Sequence, residues 1–141
     1  MKITKEMYTE TAHRLNGHPG RCKFLHGHSY LWQVTLKGDH LANGMLLDFS
    51  DLKRAMMEVI DPFDHALILE GELGDGPESK LHHALLTSGL SERVIITPYR
   101  PTAENMSEAV RSILQGRFPD FKVTVRLYET ATSFAEAGPV E

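Results

Sequence analysis

Alternation of large apolar and polar residues predicts two long strands in the first part of the chain. Residues 2–14 alternate loosely, whereas residues 28–37 alternate clearly. Because successive side chains of a strand point to opposite faces, one parity of the second segment would form a buried face. Turn signals at Asn16-Gly17 and Pro19-Gly20 separate the two segments, so we expect an antiparallel hairpin. The predicted buried face consists of Tyr30, Trp32, Val34 and Leu36.

Helical periodicity predicts two main helices. Ser50 is a suitable N-cap for a helix from Asp51 to about Ile60, whose apolar residues recur at helical spacing. Thr102 is expected to cap a second helix, which Gly116 would close. The predicted apolar stripe of the second helix consists of Met106, Val110, Ile113 and Leu114.

Shorter segments complete the pattern. We expect a third long strand over residues 121–128, and residues 133–135 can continue the pairing as a fourth strand. The order of elements predicts an α+β fold, with an antiparallel sheet and the two main helices on one of its faces. Open sheet edges would be covered in a homo-oligomer. The remaining predictions are a buried segment over 66–69, an exposed loop over 70–79, a short helix over 80–88 and a short strand over 94–96.

Composition and charge exclude several classes of function. The 141 residues are enough for one domain with its own core, and we expect a single domain over residues 1–141. The net charge of −4 provides no basic field for a nucleic acid. No apolar run approaches the ~20 residues of a membrane span, and the N-terminal residues lack the apolar core of a signal peptide. The single cysteine fits a reducing, cytoplasmic setting.

The strongest chemical signal is the segment His26-Gly27-His28. On a strand, His26 and His28 project side by side, and His13 at the end of the paired strand would add a third imidazole. Three histidines are the ligand set of a catalytic zinc site, whose fourth position stays open. Cys22 lies in the joining loop between two basic residues, which favour its thiolate form. Spacing alone leaves Cys22 either a nucleophile or base, or a fourth zinc ligand in a closed structural site.

Two acidic positions are further candidates. Asp64-His65 follows the first helix in a loop, where such a pair is more often a solvated turn than a proton relay. Glu129 ends an apolar strand, where a carboxylate is usually exposed. In a cleft, however, that carboxylate could accept two hydrogen bonds from a ring amide and an amine. The residues alone leave both interpretations open for both positions.

Six motifs follow one another along nearly the whole chain, and their joint order is specific although no single motif is. In this order they resemble the 6-pyruvoyl-tetrahydropterin synthase family. Three residues separate Cys22 from His26, which is similar to the carboxy-forming branch; the pyruvoyl-forming enzymes typically carry a longer insert. Residues 71–93 carry no motif. The six motifs are Ala12–Leu15, Cys22–Tyr30, Gly44–Lys53, Phe63–His65, Pro101–Asn105 and Tyr128–Thr130.

The resemblance implies the T-fold, in which the sheets of several subunits join into an oligomeric barrel. Trimers of this kind stack into homo-hexamers, and the site typically lies between subunits. The implied site residues are His13, His26 and His28 as ligands of Zn²⁺, Cys22 as proton acceptor, Asp64 and His65 as its relay, Glu129 as anchor of the pterin, and Thr102 near the pterin.

The resemblance also implies a small-molecule substrate, the pterin triphosphate 7,8-dihydroneopterin triphosphate. The carboxy-forming branch converts it to a 6-carboxy-tetrahydropterin, acetaldehyde and triphosphate in the 7-deazaguanine and queuosine pathway. Two alternatives remain: pyruvoyl formation or a related pterin side-chain lyase, and a non-catalytic zinc-stabilised domain. Neither a nucleic acid nor a membrane finds support as a partner. Basic residues near the first motif that could hold the triphosphate are Arg14, His18, Arg21 and Lys23.

Overall fold

The structure is a computed structural model that describes residues 1–71 and 76–139. The described residues form six strands, three α-helices and two short 3₁₀-helices. The strands are β1 (Lys2–His13), β2 (His26–Lys37), β3 (Ala66–Glu70), β4 (Val94–Thr97), β5 (Lys122–Thr130) and β6 (Ser133–Ala137). The helices are α1 (Phe49–Ile60), α2 (Pro77–Thr87) and α3 (Ala103–Arg117), with 3₁₀ turns at Arg21–Lys23 and Asp61–Phe63.

The predicted hairpin is confirmed. β1 and β2 pair antiparallel along their whole length, from Lys2 opposite Lys37 to His13 opposite His26. The predicted apolar face of β2 lies in the core, and its four side chains have no exposed surface. Because residues of one parity share a face, His26 and His28 lie on this same face, at the end of the hairpin next to the connecting loop.

The sheet is mixed, with the strand order β4-β3-β1-β2-β5-β6. The four strands β1, β2, β5 and β6 are antiparallel, as predicted. β3 pairs parallel with β1, and β4 pairs parallel with β3. The prediction of an antiparallel sheet is therefore wrong for these two strands. Each parallel strand is reached through a helical crossover, α1 for β3 and α2 for β4, which is the connection that parallel pairing requires. The α+β fold class is confirmed.

Two main helices, α1 and α3, pack on the core face of the sheet as predicted. Ile113 was expected in the apolar stripe of α3, but its side chain is 54% exposed. Successive residues are about 100° apart around a helix, so Ile113 lies well to one side of Leu114, which is fully buried. The stripe is therefore narrower than the sequence indicated. The buried residues of α3 are Ala103, Met106, Ser107, Val110 and Leu114.

The helix ends correct two predictions and confirm a third. Asp48, not Ser50, is the N-cap of α1, and its carboxylate accepts hydrogen bonds from the Ser50 backbone amide and hydroxyl at 2.8 and 2.7 Å. The Thr102 hydroxyl caps α3 by accepting from the Asn105 amide at 3.2 Å, as predicted. Gly116 does not close α3, because helical hydrogen bonding continues to the Phe118 amide.

The segment predicted as an exposed loop contains the start of α2. The helix begins at Pro77, and Glu78 beside it is only 3% exposed. Acidic residues are rarely buried unless they are paired, so the sequence indicated that Glu78 would be exposed in a loop. Residues 72–75 of the predicted loop lie outside the described residues. No helix within the described ranges is long and apolar enough to cross a membrane.

Candidate active site

The hairpin brings three histidines into one cluster. His13 ends β1, His26 begins β2 directly opposite it, and His28 follows on the same face. One ring nitrogen from each histidine lies within 4.8 Å of the others, and the Nε2 atoms of His13 and His26 are 3.1 Å apart. These three side chains could hold a metal ion, and in the described part of the chain neither a thiol nor a carboxylate joins their group.

Backbone carbonyls fix how two of these rings are protonated. Nδ1 of His13 donates to the carbonyl of Pro101, and Nδ1 of His26 donates to the carbonyl of Phe24, each at 2.7 Å. A neutral imidazole has one N–H, so both rings present an unprotonated Nε2 to each other. Two facing lone pairs repel unless a cation lies between them. Metal-binding histidines commonly donate their other nitrogen to a carbonyl, so the arrangement fits a metal site.

His28 supplies a second, independent sign that the cluster fits a metal ion. Its Nε2 atom is buried and has no hydrogen-bond partner among the described residues. The nearest acidic atom, Oε1 of Glu129, lies 3.4 Å away. Buried polar atoms are nearly always satisfied, and an unsatisfied one commonly marks an ion or a water. The histidine donor set therefore fits a metal ion on its own geometry.

The electrostatics of the cluster keep its rings in the ligand form. Burial lowers the pKa of His13 and of His28, and the positive charge that His26 would carry lowers both further, against the attraction of Glu129. Burial also raises the pKa of the Tyr30 hydroxyl far above its usual value, so this group stays neutral. At neutral pH His13 and His28 are thus uncharged imidazoles, which is the form that binds metals.

Acidification is expected to destabilise the metal-free protein. The unfolded chain binds a proton on each imidazole near the ordinary pKa of about 6.5, whereas folded His13 and His28 resist protonation to lower pH. The unfolded state therefore binds more protons as the pH falls below about 6.5, and stability is lost there. Urea unfolding with a chelator at about pH 7.5 and about pH 5.5 measures the loss. A His13→Gln variant should lose less, and equal stability at both pH values would contradict the prediction.

Tyr30 is a site residue that the sequence did not single out. Its hydroxyl lies 3.3 Å from Nε2 of His13, and its ring meets the His28 ring edge to face. Burial is the main cause of the raised pKa of this hydroxyl, and the negative charges of Glu129 and Cys22 raise it further. Both charged groups therefore lie near the hydroxyl. The available signal was that Tyr30 continues the alternation of the two histidines along β2.

Cys22 and Glu129 flank the cluster without belonging to it. Cys22 is a free, partly exposed cysteine in the first 3₁₀ turn, so the loop and not the strand positions its thiol. Glu129 lies in β5 on the core face, next to His28. Glu129 is therefore on the same side of the sheet as the three histidines, and Cys22 lies in the loop between His13 and His26, where its charge acts on the Tyr30 hydroxyl. Thr102 lies one residue after Pro101, and its hydroxyl is engaged in capping α3.

The Asp64–His65 pair lies elsewhere in the chain's fold. Oδ2 of Asp64 accepts from Nδ1 of His65 at 2.8 Å, so the predicted pair is formed. The His65 side chain is 76% exposed, and it lines a cavity of about 540 Å³ together with Glu10, Ser29 and His28. Glu10 and Ser29 alternate with residues of the core face, so they belong to the opposite face of the sheet. One chain thus places the pair across the sheet from the histidine cluster.

Hydrogen bonding to Asp64 favours its ionised form. Its carboxylate accepts from the Glu10 backbone amide and from His65, and these bonds lower the pKa of the Asp64 carboxyl, with a smaller contribution from the charge of Arg93. Asp64 is therefore a fixed negative charge beside His65 at neutral pH. An ionised carboxylate at Nδ1 holds the ring with its other nitrogen, Nε2, directed outward.

Basic residues of the first motif make contacts that the sequence did not predict. Nε of Arg14 lies 3.4 Å from Oε1 of the buried Glu78. Lys23 lies over the exposed ring of Phe24, at 5.2 Å from its centre. His18 accepts from a backbone amide within its own loop at 2.9 Å. The ion pair links the end of β1 to α2, so the segment without motifs contacts the residue next to His13.

Comparison with known proteins agrees with this geometry. The model of the family described as 6-pyruvoyl tetrahydropterin synthase matches residues 2–139. A Haemophilus influenzae protein named 6-carboxy-5,6,7,8-tetrahydropterin synthase is 39% identical in an alignment of 140 positions that covers 96% of each chain. A Rickettsia typhi protein of the same name is 33% identical over 147 residues, covering 96% of this chain and 99% of the other. These matches span the motifs from β1 to β5.

Solved structures agree on the fold. An uncharacterized protein from Wolinella succinogenes superposes with a TM-score of 0.81 at 21% identity, over 98% of this chain and 97% of the other. A 6-pyruvoyl tetrahydropterin synthase from Plasmodium vivax superposes with a TM-score of 0.75 at 17% identity, over 99% and 97%. The predicted T-fold is therefore confirmed at the level of the single chain. On the family match and the two bacterial relatives, the chain belongs to the 6-pyruvoyl tetrahydropterin synthase family.

Proposed function

We propose that the protein converts 7,8-dihydroneopterin triphosphate to 6-carboxy-5,6,7,8-tetrahydropterin, acetaldehyde and triphosphate. The observation that carries the proposal is the histidine cluster, with a carboxylate beside it on the same face of the sheet and a thiol in the adjoining loop. The short gap between Cys22 and His26 and the names of the two bacterial relatives favour the carboxy-forming branch. This reaction would serve 7-deazaguanine and queuosine biosynthesis in the cytoplasm.

The broader prediction, an enzyme of the lyase class that acts on a pterin side chain, is confirmed by the family match and by both relatives. We propose Zn²⁺ as the metal on His13, His26 and His28. When bound there, the ion would act as a Lewis acid toward the oxygens of the substrate's side chain. The chain's own contribution is a set of neutral rings, oriented by two backbone carbonyls before any ligand arrives.

Glu129 and Cys22 are suited to binding and proton transfer respectively. The Glu129 carboxylate can accept hydrogen bonds from the amino group and the ring N–H of a pterin, which would fix the substrate's orientation. Cys22, as a thiolate, would take the proton from the side-chain carbon that bears a hydroxyl. Acid–base help of this kind is worth about 10²- to 10⁴-fold in rate. Thr102 would lie near the pterin at the start of α3.

Asp64 and His65 would complete proton transfer by returning a proton through Nε2 of His65. Since one chain holds this pair across the sheet from Cys22, we propose that a neighbouring subunit of a homo-hexamer supplies it. In that arrangement the site lies between subunits, and an isolated chain is incomplete. Association through open sheet edges also removes the unpaired strand edges of β4 and β6.

Product analysis tests the proposal. Zinc-loaded protein is incubated with 7,8-dihydroneopterin triphosphate, and the products are identified by mass spectrometry. We expect the 6-carboxy product together with acetaldehyde. A 6-pyruvoyl product would assign the protein to the other branch of the family, and no product from metal-loaded protein would contradict activity on this substrate.

A further inference from the structure

The loop that carries the Asp64–His65 pair holds a strained backbone. His65 has a φ of 53°, in the left-handed region that residues with a Cβ atom rarely adopt. Such conformations cost free energy, persist where surrounding contacts over-determine them, and cluster at functional sites. The contacts on one side come from β1: the Glu10 amide donates to Oδ1 of Asp64 at 2.8 Å, and the Glu10 carbonyl accepts from the His65 amide at 2.7 Å.

Arg93 fastens the same loop from its other side. Its Nη2 atom donates to the carbonyl of Asp64 and lies 3.4 and 3.5 Å from the carbonyls of Pro62 and Asp61. These carbonyls end the helical stretch formed by α1 and the second 3₁₀ turn, where the partial negative charge of a helix attracts a cation. The Arg93 carbonyl also accepts from the Leu67 amide at 2.9 Å, so Arg93 contacts the chain both before and after His65.

We propose that Arg93 is a positioning residue for the Asp64–His65 pair, an inference that rests on the proposed function. Its guanidinium holds the loop in the conformation in which Oδ2 of Asp64 meets Nδ1 of His65 at 2.8 Å. That bond keeps neutral His65 as the Nδ1–H tautomer and leaves Nε2 as the basic atom. Arg93 also lines the cavity beside His65, so it acts where the pair would meet its substrate.

The chemistry of arginine suits this position better than that of lysine. A guanidinium presents several N–H groups in a fixed plane, whereas an ammonium is a compact point charge. The carbonyl oxygens of Asp61, Pro62 and Asp64 all lie near one atom of the Arg93 head group, Nη2, which the planar guanidinium holds in a fixed direction. An Arg93→Lys variant keeps the positive charge but carries it on a flexible stem that holds the loop less firmly, so it should recover only part of the function that Arg93→Gln loses.

Kinetics of matched variants form the first part of the test. We expect Arg93→Gln to lower kcat by about 10- to 100-fold, with KM within about twofold, because misplaced catalytic groups slow the chemical step. Arg93→Lys should lie between this variant and the wild type. Arg117→Gln is the control, because it removes an exposed arginine whose ion pair with Glu58 lies between α1 and α3. Its kcat should equal that of the wild type.

Nitrogen NMR of the His65 ring forms the second part and does not require turnover. We expect the Nδ1–H tautomer in the wild type and a mixture of tautomers in Arg93→Gln, with circular dichroism showing that both are folded. An unchanged kcat or an unchanged tautomer in folded Arg93→Gln would overturn the inference. If the wild type formed no product from the pterin, the proposed function would fail, while the tautomer comparison would still decide the role of Arg93.

Discussion

Replacing Cys22 with alanine is expected to lower kcat by about 10²- to 10⁴-fold while the metal content stays at that of the wild type. The structure separates metal binding from catalysis: the group that could hold a metal consists of the three histidines, and Cys22 lies in the loop that joins their strands. A catalytic thiol can be removed without disturbing such a site. A fourth zinc ligand cannot, because loss of a ligand weakens both metal binding and folding.

The measurements are metal content, thermal unfolding and steady-state kinetics on the same preparations. Cys22→Ser is the matched variant, since it keeps the size of the side chain but replaces the thiolate with a weak base, and it should lose as much activity. His26→Ala is the opposite control and should lose the metal itself. If Cys22→Ala lost metal and stability together, the alternative of a non-catalytic zinc-stabilised domain would regain support.

Local pattern was sufficient for the hairpin and for the cluster that it carries. The alternation along β2 identified Tyr30, Trp32, Val34 and Leu36 as one buried face, and all four are fully buried. The same parity rule placed His26 and His28 on one face, and the turn signals implied that His13 would lie opposite. These features depend on neighbours a few residues apart or on one tight pairing, which sequence periodicity records directly.

Long-range pairing and backbone contacts were not accessible in the same way. β3 and β4 are short apolar runs without alternation, so nothing in them indicated parallel pairing at the edge of the sheet. Two imidazoles are oriented by the backbone carbonyls of Phe24 and Pro101. Every residue type has such a carbonyl, so the sequence does not show which ones take this role. Arg93 likewise follows a segment without motifs, and only the fold brings it to the Asp64 carbonyl.

Inactive subunits that lack Cys22 and inactive subunits that lack His65 are expected to restore activity to each other when they assemble together. The reason is the sheet between the two groups: the Asp64–His65 pair bonds to Glu10, whose side chain lies on the face opposite the imidazoles of the histidine cluster. If each site takes Cys22 from one chain and His65 from its neighbour, mixed assemblies contain intact sites. When equal amounts of the two variants assemble at random, half of the sites receive an intact Cys22 and half receive an intact His65. About a quarter of the sites therefore receive both residues.

The experiment co-expresses Cys22→Ala and His65→Ala subunits with different affinity tags and assays the doubly purified assemblies. A second mixture, of wild-type subunits with subunits carrying both substitutions, gives an independent measure of the fraction of active sites. Sites shared between chains predict about a quarter of wild-type activity there as well, whereas sites within one chain predict about half. No activity in the first mixture and about half in the second would place both groups in the same chain. The Asp64–His65 loop would then have to move across the edge of the sheet to reach Cys22. The strained backbone at His65 would be the expected hinge of that movement.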